Sequence, residues 1–263
     1  MFLSEEKSKN GVFTLQSKFL GGEIPFYAIF PGAYENSSSK FPVLYLLHGL
    51  FGRFDNWMTN TKIVEYAEKC SFIIVCLEGG DSWYADSPHL KNHFYESYFL
   101  KELIPAVENK FNADKSQKKR AIAGLSMGGY GAFKFAFRRP EMFCFAASMS
   151  GAFHAAENFG DNGWKQLQTS IQAVFGEDDL LKAENDLFQI IENFPVEQLA
   201  ELPFFYFDCG TEDSFMPINI RLAEAFRRRG IAHEFKFSVG GHDWDYWNTQ
   251  LKNILHTAEK FLK

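Results

Sequence analysis

Gly124-Leu125-Ser126-Met127-Gly128-Gly129 is the stretch from which the rest of the chain can be read. Before it runs Lys119-Arg120-Ala121-Ile122-Ala123, short and mostly apolar, which reads as a buried strand. After it runs Tyr130-Gly131-Ala132-Phe133-Lys134-Phe135-Ala136-Phe137, which reads as a helix closed by Pro140. A G-x-S-x-G pattern therefore falls where a strand turns sharply into a helix. Glycines on both flanks make room for a turn that side chains would obstruct. Such a turn lifts Ser126 out at the top of the sheet, beside helix N–H groups that can stabilise an anion. Alone, G-x-S-x-G recurs by chance, and a serine between glycines can be an ordinary loop. The strand and helix around it give it weight.

Working outward, Val43-Leu44-Tyr45-Leu46-Leu47 and Phe72-Ile73-Ile74-Val75-Cys76-Leu77 are continuously apolar, as expected of parallel strands buried on both faces. His48-Gly49-Leu50-Phe51-Gly52 follows the first, and Glu78-Gly79-Gly80-Asp81-Ser82-Trp83-Tyr84 the second. Nearer the start, residues 12–20 alternate, with Phe13, Leu15 and Phe19 on one face. Gly21-Gly22 predicts a hairpin turn into an antiparallel strand over residues 23–30. Residues 61–69 read as a helix. A second helix, carrying Phe99, Leu103, Val107 and Phe111, is expected to kink at Pro105.

Downstream, residues 143–149, 204–209 and 233–239 complete eight strands, the last with Phe235, Phe237 and Val239 on one face. Helices follow over residues 217–229 and beyond His242, the latter carrying Trp247, Leu251, Leu255 and Phe261. Residues 151–202 interrupt the strand rhythm with helical patterns and loops, an insertion placed to form a partial cap. The pattern predicts a single domain over residues 1–263. Its fold class is a three-layer α/β sandwich with an eight-stranded, mostly parallel sheet and an N-terminal antiparallel hairpin.

A length of 263 residues suits one large α/β domain, and 30 phenylalanines can fill a large core. The formal charge of −6 argues against a nucleic-acid surface. The cationic runs Lys118-Lys119-Arg120 and Arg227-Arg228-Arg229 are short and read as solvated faces. Cys70, Cys76, Cys144 and Cys209 form no C-x-x-C, which predicts reduced thiols in a cytoplasmic protein. Met1-Phe2-Leu3-Ser4-Glu5-Glu6-Lys7 lacks the apolar core of a signal peptide, and no apolar run is long enough to span a membrane. Neither a Walker A loop nor G-x-G-x-x-G occurs, so no cofactor is expected. Asp178-Asp179 and His242-Asp243-Trp244-Asp245 contain ligand-type residues without a recognised metal spacing, so no metal is expected either.

A serine nucleophile needs a base, an orienting acid and an oxyanion hole, because a hydroxyl is too weakly acidic to attack unaided. Beyond Ser126 the chain offers the acid and then the base, in that order. Asp213 lies in Cys209-Gly210-Thr211-Glu212-Asp213-Ser214, just past a strand, with Glu212 and Asp208 as rivals. His242 follows the last strand on a Gly-Gly turn. One oxyanion donor is expected from the N–H of Met127, the other from the N–H of Leu50. Phe51, Trp83 and Tyr84 also sit at strand ends and are candidates for substrate contact, as bulky walls of a short acyl pocket.

Four segments in this order resemble the esterase D family: Leu46-Leu47-His48-Gly49-Leu50 with Asn56-Trp57, Ala123 to Ala132, Cys209 to Asp213, and Gly240 to Trp247. The family includes S-formylglutathione hydrolases, tributyrin-type short-chain esterases, feruloyl and acetylxylan esterases, and mycolyltransferases. The loop bearing Ser82-Trp83-Tyr84 looks most like the tributyrin-esterase branch. The resemblance implies an α/β-hydrolase that cleaves small-molecule short-chain acyl esters through a Ser-His-Asp triad. A related thioester such as S-formylglutathione, or an acetyl or feruloyl ester of carbohydrate, is the alternative substrate. A non-catalytic binding module of the same fold is the alternative of a different class, and only an activated serine would react with a fluorophosphonate.

Overall fold

Strands β1 (Gly11–Ser17), β2 (Gly22–Ile29), β3 (Val43–Leu47), β4 (Ile73–Leu77), β5 (Arg120–Leu125), β6 (Phe145–Met149), β7 (Phe204–Gly210) and β8 (His233–Ser238) form one sheet. Their order across it is β1-β2-β4-β3-β5-β6-β7-β8. The computed structural model describes residues 9–156 and 165–263. The opening stretch read for a signal peptide, and residues 157–164 of the expected cap, lie outside these.

β1 and β2 pair antiparallel, β2 pairs antiparallel with β4, and every pair from β4 to β8 is parallel. The continuously apolar strands are buried on both faces because successive side chains serve two different cores. Val43, Tyr45 and Leu47 enter one core with Ile122, Phe205 and Phe207. Leu44 and Leu46 enter the other with Ala121, Ala123 and Tyr206.

The short helices α1 (Asn56–Asn60) and α2 (Ile63–Ala67) cover the second face, together with the long C-terminal helix described below. The first face receives α3 (Tyr95–Tyr98), α4 (Ile104–Lys110) and α5 (Met127–Arg138). Beyond them follow α6 (Lys165–Phe175), α7 (Asp179–Asn185), α8 (Leu187–Asn193) and α9 (Met216–Arg229). The C-terminal helix is α10 (Trp244–Phe261), whose Leu251, Ile254, Leu255 and Ala258 are buried. This is the α/β-hydrolase sandwich expected from the sequence.

The chain steps from β3 to β4 in one direction and from β4 over β3 to β5 in the other. Strand order thus reverses between β3 and β5, where crevices form at the carboxyl ends of open sheets. The register pairs Leu47 with Gly124, so the loops that begin at His48 and Ser126 emerge side by side.

The hairpin turn is Lys18 to Gly21 rather than Gly21-Gly22; Gly21 takes the left-handed φ of 72° and Gly22 is already paired with Ser17. At the expected kink the helix widens into a π turn over Phe99–Leu103, just ahead of Pro105, which has no N–H to bond one turn back. β8 is an edge strand: its Phe235 packs on Phe207 with ring centroids 4.8 Å apart, while Phe237, and Val239 just past the strand, are exposed.

At the start of β5 a buried ion pair links Arg120 to Glu108, with Arg120 Nε 2.7 Å from Glu108 Oε1. Arg120 also donates to the carbonyls of Met142 and Lys115. Breaking one partner leaves a buried charge unpaired. Glu108→Ala should therefore lower the unfolding free energy by about 3 to 5 kcal/mol in denaturant titrations. A Glu108→Leu, Arg120→Met double replacement should recover most of that loss, and failure to do so would show that the guanidinium–carbonyl bonds matter more than the pair.

Candidate active site

Ser126 directly follows β5 and caps α5 with φ 52° and ψ −117°, a left-handed conformation unusual for a non-glycine residue. Three backbone bonds hold it there. Its N–H donates to the Met149 carbonyl at 2.9 Å, and its own carbonyl accepts from Tyr130 and Ala152 at 3.1 and 3.0 Å. Gly124 and Gly128 make the turn possible by close approach rather than by flexibility. A Cβ on Gly124 would stand 2.4 Å from the Gly128 backbone, and one on Gly128 would stand 2.4 Å from the Leu47 carbonyl oxygen. Neither obstacle is a movable side chain. Gly128→Ala should displace the β3 loop, lower stability by about 1 to 3 kcal/mol and reduce ester turnover. A normal melting temperature with normal turnover would contradict this.

The sheet brings three distant residues together. His242 Nε2 lies 3.1 Å from Ser126 Oγ, and His242 Nδ1 lies 2.9 Å from Asp213 Oδ2. Asp213 is nearly fully buried, and its other oxygen accepts the Phe215 N–H at 2.8 Å. Burial alone would raise the Asp213 carboxyl, but the His242 hydrogen bond and charge and the Phe215 N–H outweigh it, holding the group below the ordinary aspartate range. An acceptor-only carboxylate requires Nδ1 to carry the imidazole proton, which leaves Nε2 as the acceptor facing the serine hydroxyl. Phe215 and Trp247 meet the imidazole edge to face, with centroids 4.7 and 4.9 Å away, and fix the ring plane.

The two rival acids stand elsewhere. Glu212 is exposed. Asp208 lies inside β7, fully buried, where loss of hydration pushes its carboxyl up to about 8. Asp178 caps α7 by accepting the Leu181 N–H, and Asp243 caps α10 by accepting the Tyr246 N–H. Among the described residues no group of three or more His, Cys, Asp or Glu is gathered to hold a metal ion. His154 packs on Phe215, and burial, with Arg221 and His242 nearby, holds its imidazole down to about 4.

His48 is a strut. It is fully buried, its Nδ1 donates to the Gly49 carbonyl at 2.7 Å, and its Nε2 accepts the Gly79 N–H at 2.8 Å. It thereby ties the loop after β3 to the loop after β4. In the same loop the Gly52 N–H turns back to the Gly49 carbonyl and the Phe51 N–H donates to Asp81 Oδ1 at 2.6 Å. Leu50 lies between Gly49 and Phe51, both held by these bonds, and among the described residues none accepts its N–H. Met127 is the first residue of α5, where a backbone N–H has no carbonyl one turn back.

A cavity of about 460 Å³ opens over Ser126. Leu50 and Phe51 line it. Trp83 and Tyr84 do not: both are fully buried, with left-handed φ of 53° and 50°. Trp83 Nε1 donates to Ser170 Oγ and Tyr84 Oη to the His48 carbonyl, each at 3.0 Å. The Tyr84 ring fills the space left by Gly79 and Gly131, where an added Cβ would stand 2.5 and 2.6 Å from it. These two aromatics brace the loops behind the cavity. Its remaining walls include Leu167 of α6 and Phe215, which pattern reading passed over, and Asn56, Trp244 and Trp247, which lie in the segments that carry the family resemblance.

Residues 17–258 match the family model of the Esterase family. The chain belongs to the Esterase family. This esterase is 27% identical over 228 residues to the acetyl esterase of Caldicellulosiruptor saccharolyticus, covering 85% of each chain. It is 26% identical to the S-formylglutathione hydrolase of Paracoccus denitrificans, covering 91% of this chain and 88% of that one. Among solved structures a ferulic acid esterase superposes with a TM-score of 0.83 at 28% identity, covering 97% of this chain and 98% of that one. The esterase D resemblance and the carboxylic ester hydrolase reading therefore hold. No helix among the described residues is long and apolar enough to cross a membrane.

Proposed function

We propose that this esterase is a serine carboxylesterase for short-chain acyl esters, with Ser126, His242 and Asp213 as its catalytic triad. The unbroken chain of contacts from Asp213 Oδ2 through His242 to Ser126 Oγ carries the reading. As Ser126 Oγ bonds to the ester carbonyl carbon, its proton passes to His242 Nε2. The carbonyl π pair moves onto oxygen, which the N–H groups of Met127 and Leu50 receive. Collapse expels the alcohol oxygen, which takes the proton back from Nε2 and leaves an acyl-serine. Water repeats the sequence and releases the acid.

One domain carries the reaction, with α6 to α8 acting as its partial cap. Leu167 in the cavity wall and the Trp83–Ser170 bond support that role. A short acyl chain suits the apolar walls of Leu50, Leu167 and Phe215. The relatives name two other leaving or acyl groups worth testing, glutathione thioesters and feruloyl esters. Four unbridged thiols support a cytoplasmic setting. Turnover of nitrophenyl esters from acetate to palmitate, beside S-formylglutathione, tests the substrate class. A maximum at about eight linear carbons or more would contradict the short-acyl reading, because each added methylene gains only about 0.8 kcal/mol if it finds apolar space.

The pH profile tests the assignment of the base. A protonated imidazole cannot take the Ser126 proton, and Asp213 stays ionised below the usual carboxylate range. Acid loss of kcat/KM should therefore follow a single proton, with unit slope on a logarithmic plot. A flat acid limb would exclude a histidine base.

A further inference from the structure

We propose that Ser150 is a positioning residue of the triad, whose hydroxyl joins Trp247 to Asp213 and so fixes the imidazole held between them; this rests on the triad reading above. Ser150 directly follows β6, the strand beside β5, and its side chain is fully buried. Like Ser126 it has a left-handed backbone, with φ 50°. Its N–H donates to the Asp208 carbonyl at 2.8 Å, which pins the residue against β7. A non-glycine residue persists in that conformation only where its surroundings hold it there, and such positions gather at sites where a side chain must be aimed.

The contacts of the side chain give it this role. Trp247 Nε1 donates to Ser150 Oγ at 3.1 Å. The same indole meets the His242 ring edge to face, with centroids 4.9 Å apart. A hydroxyl that accepts one bond still has its own proton to donate, and a buried one needs an acceptor inside the protein. Two acceptors face it, the Asp213 carboxylate and the Cys209 sulfur. Burial pushes the Cys209 thiol well above its ordinary range, so it stays uncharged, and the ionised carboxylate is the stronger acceptor. The hydroxyl proton therefore goes to Asp213. Four side chains then close a ring: Trp247 on Ser150, Ser150 on Asp213, Asp213 on His242, and His242 back on Trp247. Neither the carboxylate nor the imidazole can turn without breaking a contact of that ring.

The ring also sets how firmly the base holds a proton. Burial works against the Asp213 charge, and the Ser150 hydroxyl acts with His242 and the Phe215 N–H to keep that carboxyl ionised. Without the hydroxyl less of the charge is satisfied, and the carboxylate attracts the imidazolium more strongly. The base then takes up a proton at higher pH. Besides Cys209, the ionisable groups around this ring are Asp208, His154, Arg221 and Asp243. Burial pushes the Asp208 carboxyl up to about 8 and holds the His154 imidazole down to about 4, so both are neutral while the acid limb develops. The Arg221 guanidinium is a fixed charge, and Asp243 is engaged at the start of α10. A shift of the acid limb therefore reports the bond from Ser150 to Asp213.

The test measures kcat, KM and the pH profile for 4-nitrophenyl acetate in Ser150→Ala, Trp247→Phe and the double variant. Phenylalanine keeps an aromatic edge against His242 and removes the indole N–H. Each single variant should lower kcat about tenfold, with KM within about twofold of wild type. The double variant should lose at most about threefold more, because either change opens the same ring, whereas separate roles would multiply to about 100-fold. In Ser150→Ala the acid limb of kcat/KM should move up by about half a pH unit. Ser150→Gly removes the same hydroxyl and suits φ 50°, so it takes the place of alanine if that variant does not fold. Near-normal kcat without the hydroxyl, an unmoved acid limb, or a multiplicative double variant would overturn the positioning role alone. An unaltered protein that neither hydrolyses the acetate nor reacts with a fluorophosphonate would overturn the triad reading, and the inference with it.

Discussion

Ser126→Ala should lower kcat for a nitrophenyl acetate by about 10³-fold or more, with little change in KM or melting temperature. The bonds that hold residue 126 in its left-handed turn are made by its backbone N–H and carbonyl, which alanine retains. What alanine removes is the hydroxyl that stands 3.1 Å from His242 Nε2, the group proposed to attack the ester. Residual turnover would come from the N–H donors of Met127 and Leu50 acting on a water-attacked ester. Steady-state kinetics and a thermal melt on the same preparation check both halves. A variant that keeps near-normal turnover would remove Ser126 as the nucleophile.

Asp213→Asn should cost about 10³- to 10⁴-fold in kcat, although it changes one atom. The wild-type carboxylate accepts at both oxygens, from the Phe215 N–H and from His242 Nδ1. An amide cannot do both. If its NH₂ faces His242, Nδ1 must become the acceptor, the proton moves to Nε2, and Ser126 faces a donor. If its NH₂ faces Phe215, two N–H groups collide. Either way the charge that would stabilise the imidazolium is gone. Asp208→Asn is the matched control: burial pushes that carboxyl up to about 8, so it is mostly neutral at pH 7 and an amide imitates it. Its kcat should stay within about threefold of wild type, on the scale of substitutions away from the reacting atoms. A large loss in Asp208→Asn, with little in Asp213→Asn, would reverse the assignment of the acid.

How legible the site was depends on backbone position. Ser126, Asp213 and His242 each follow a strand, and strand ends converge at one rim whatever the side-chain packing. Unbroken apolar runs announced the buried strands because both sheet faces are covered. Trp83 and Tyr84 read as pocket walls for the same positional reason, and wrongly. Their burial depends on contacts that no local pattern records. Tyr84 fills gaps at Gly79 and Gly131, and its carbonyl accepts from Lys134 Nζ at 2.7 Å. Lys134 itself is fully buried in α5, 3.2 Å from Glu96, and burial lowers its ammonium to about 8. A lysine within a helix would ordinarily read as solvent-facing. Leu167 and Phe215 reach the cavity from the inserted segment and from the loop before α9, both set by tertiary packing. For Phe237 and Val239, alternation predicts a shared face but not whether anything covers it, and both are exposed.

Labelling with a fluorophosphonate, read by intact mass and peptide mapping, tests the proposed chemistry most directly. One adduct per chain should form on the peptide containing Ser126, and His242→Ala should abolish it without unfolding the protein. No adduct, or an adduct on another residue while ester turnover persists, would contradict the assignment.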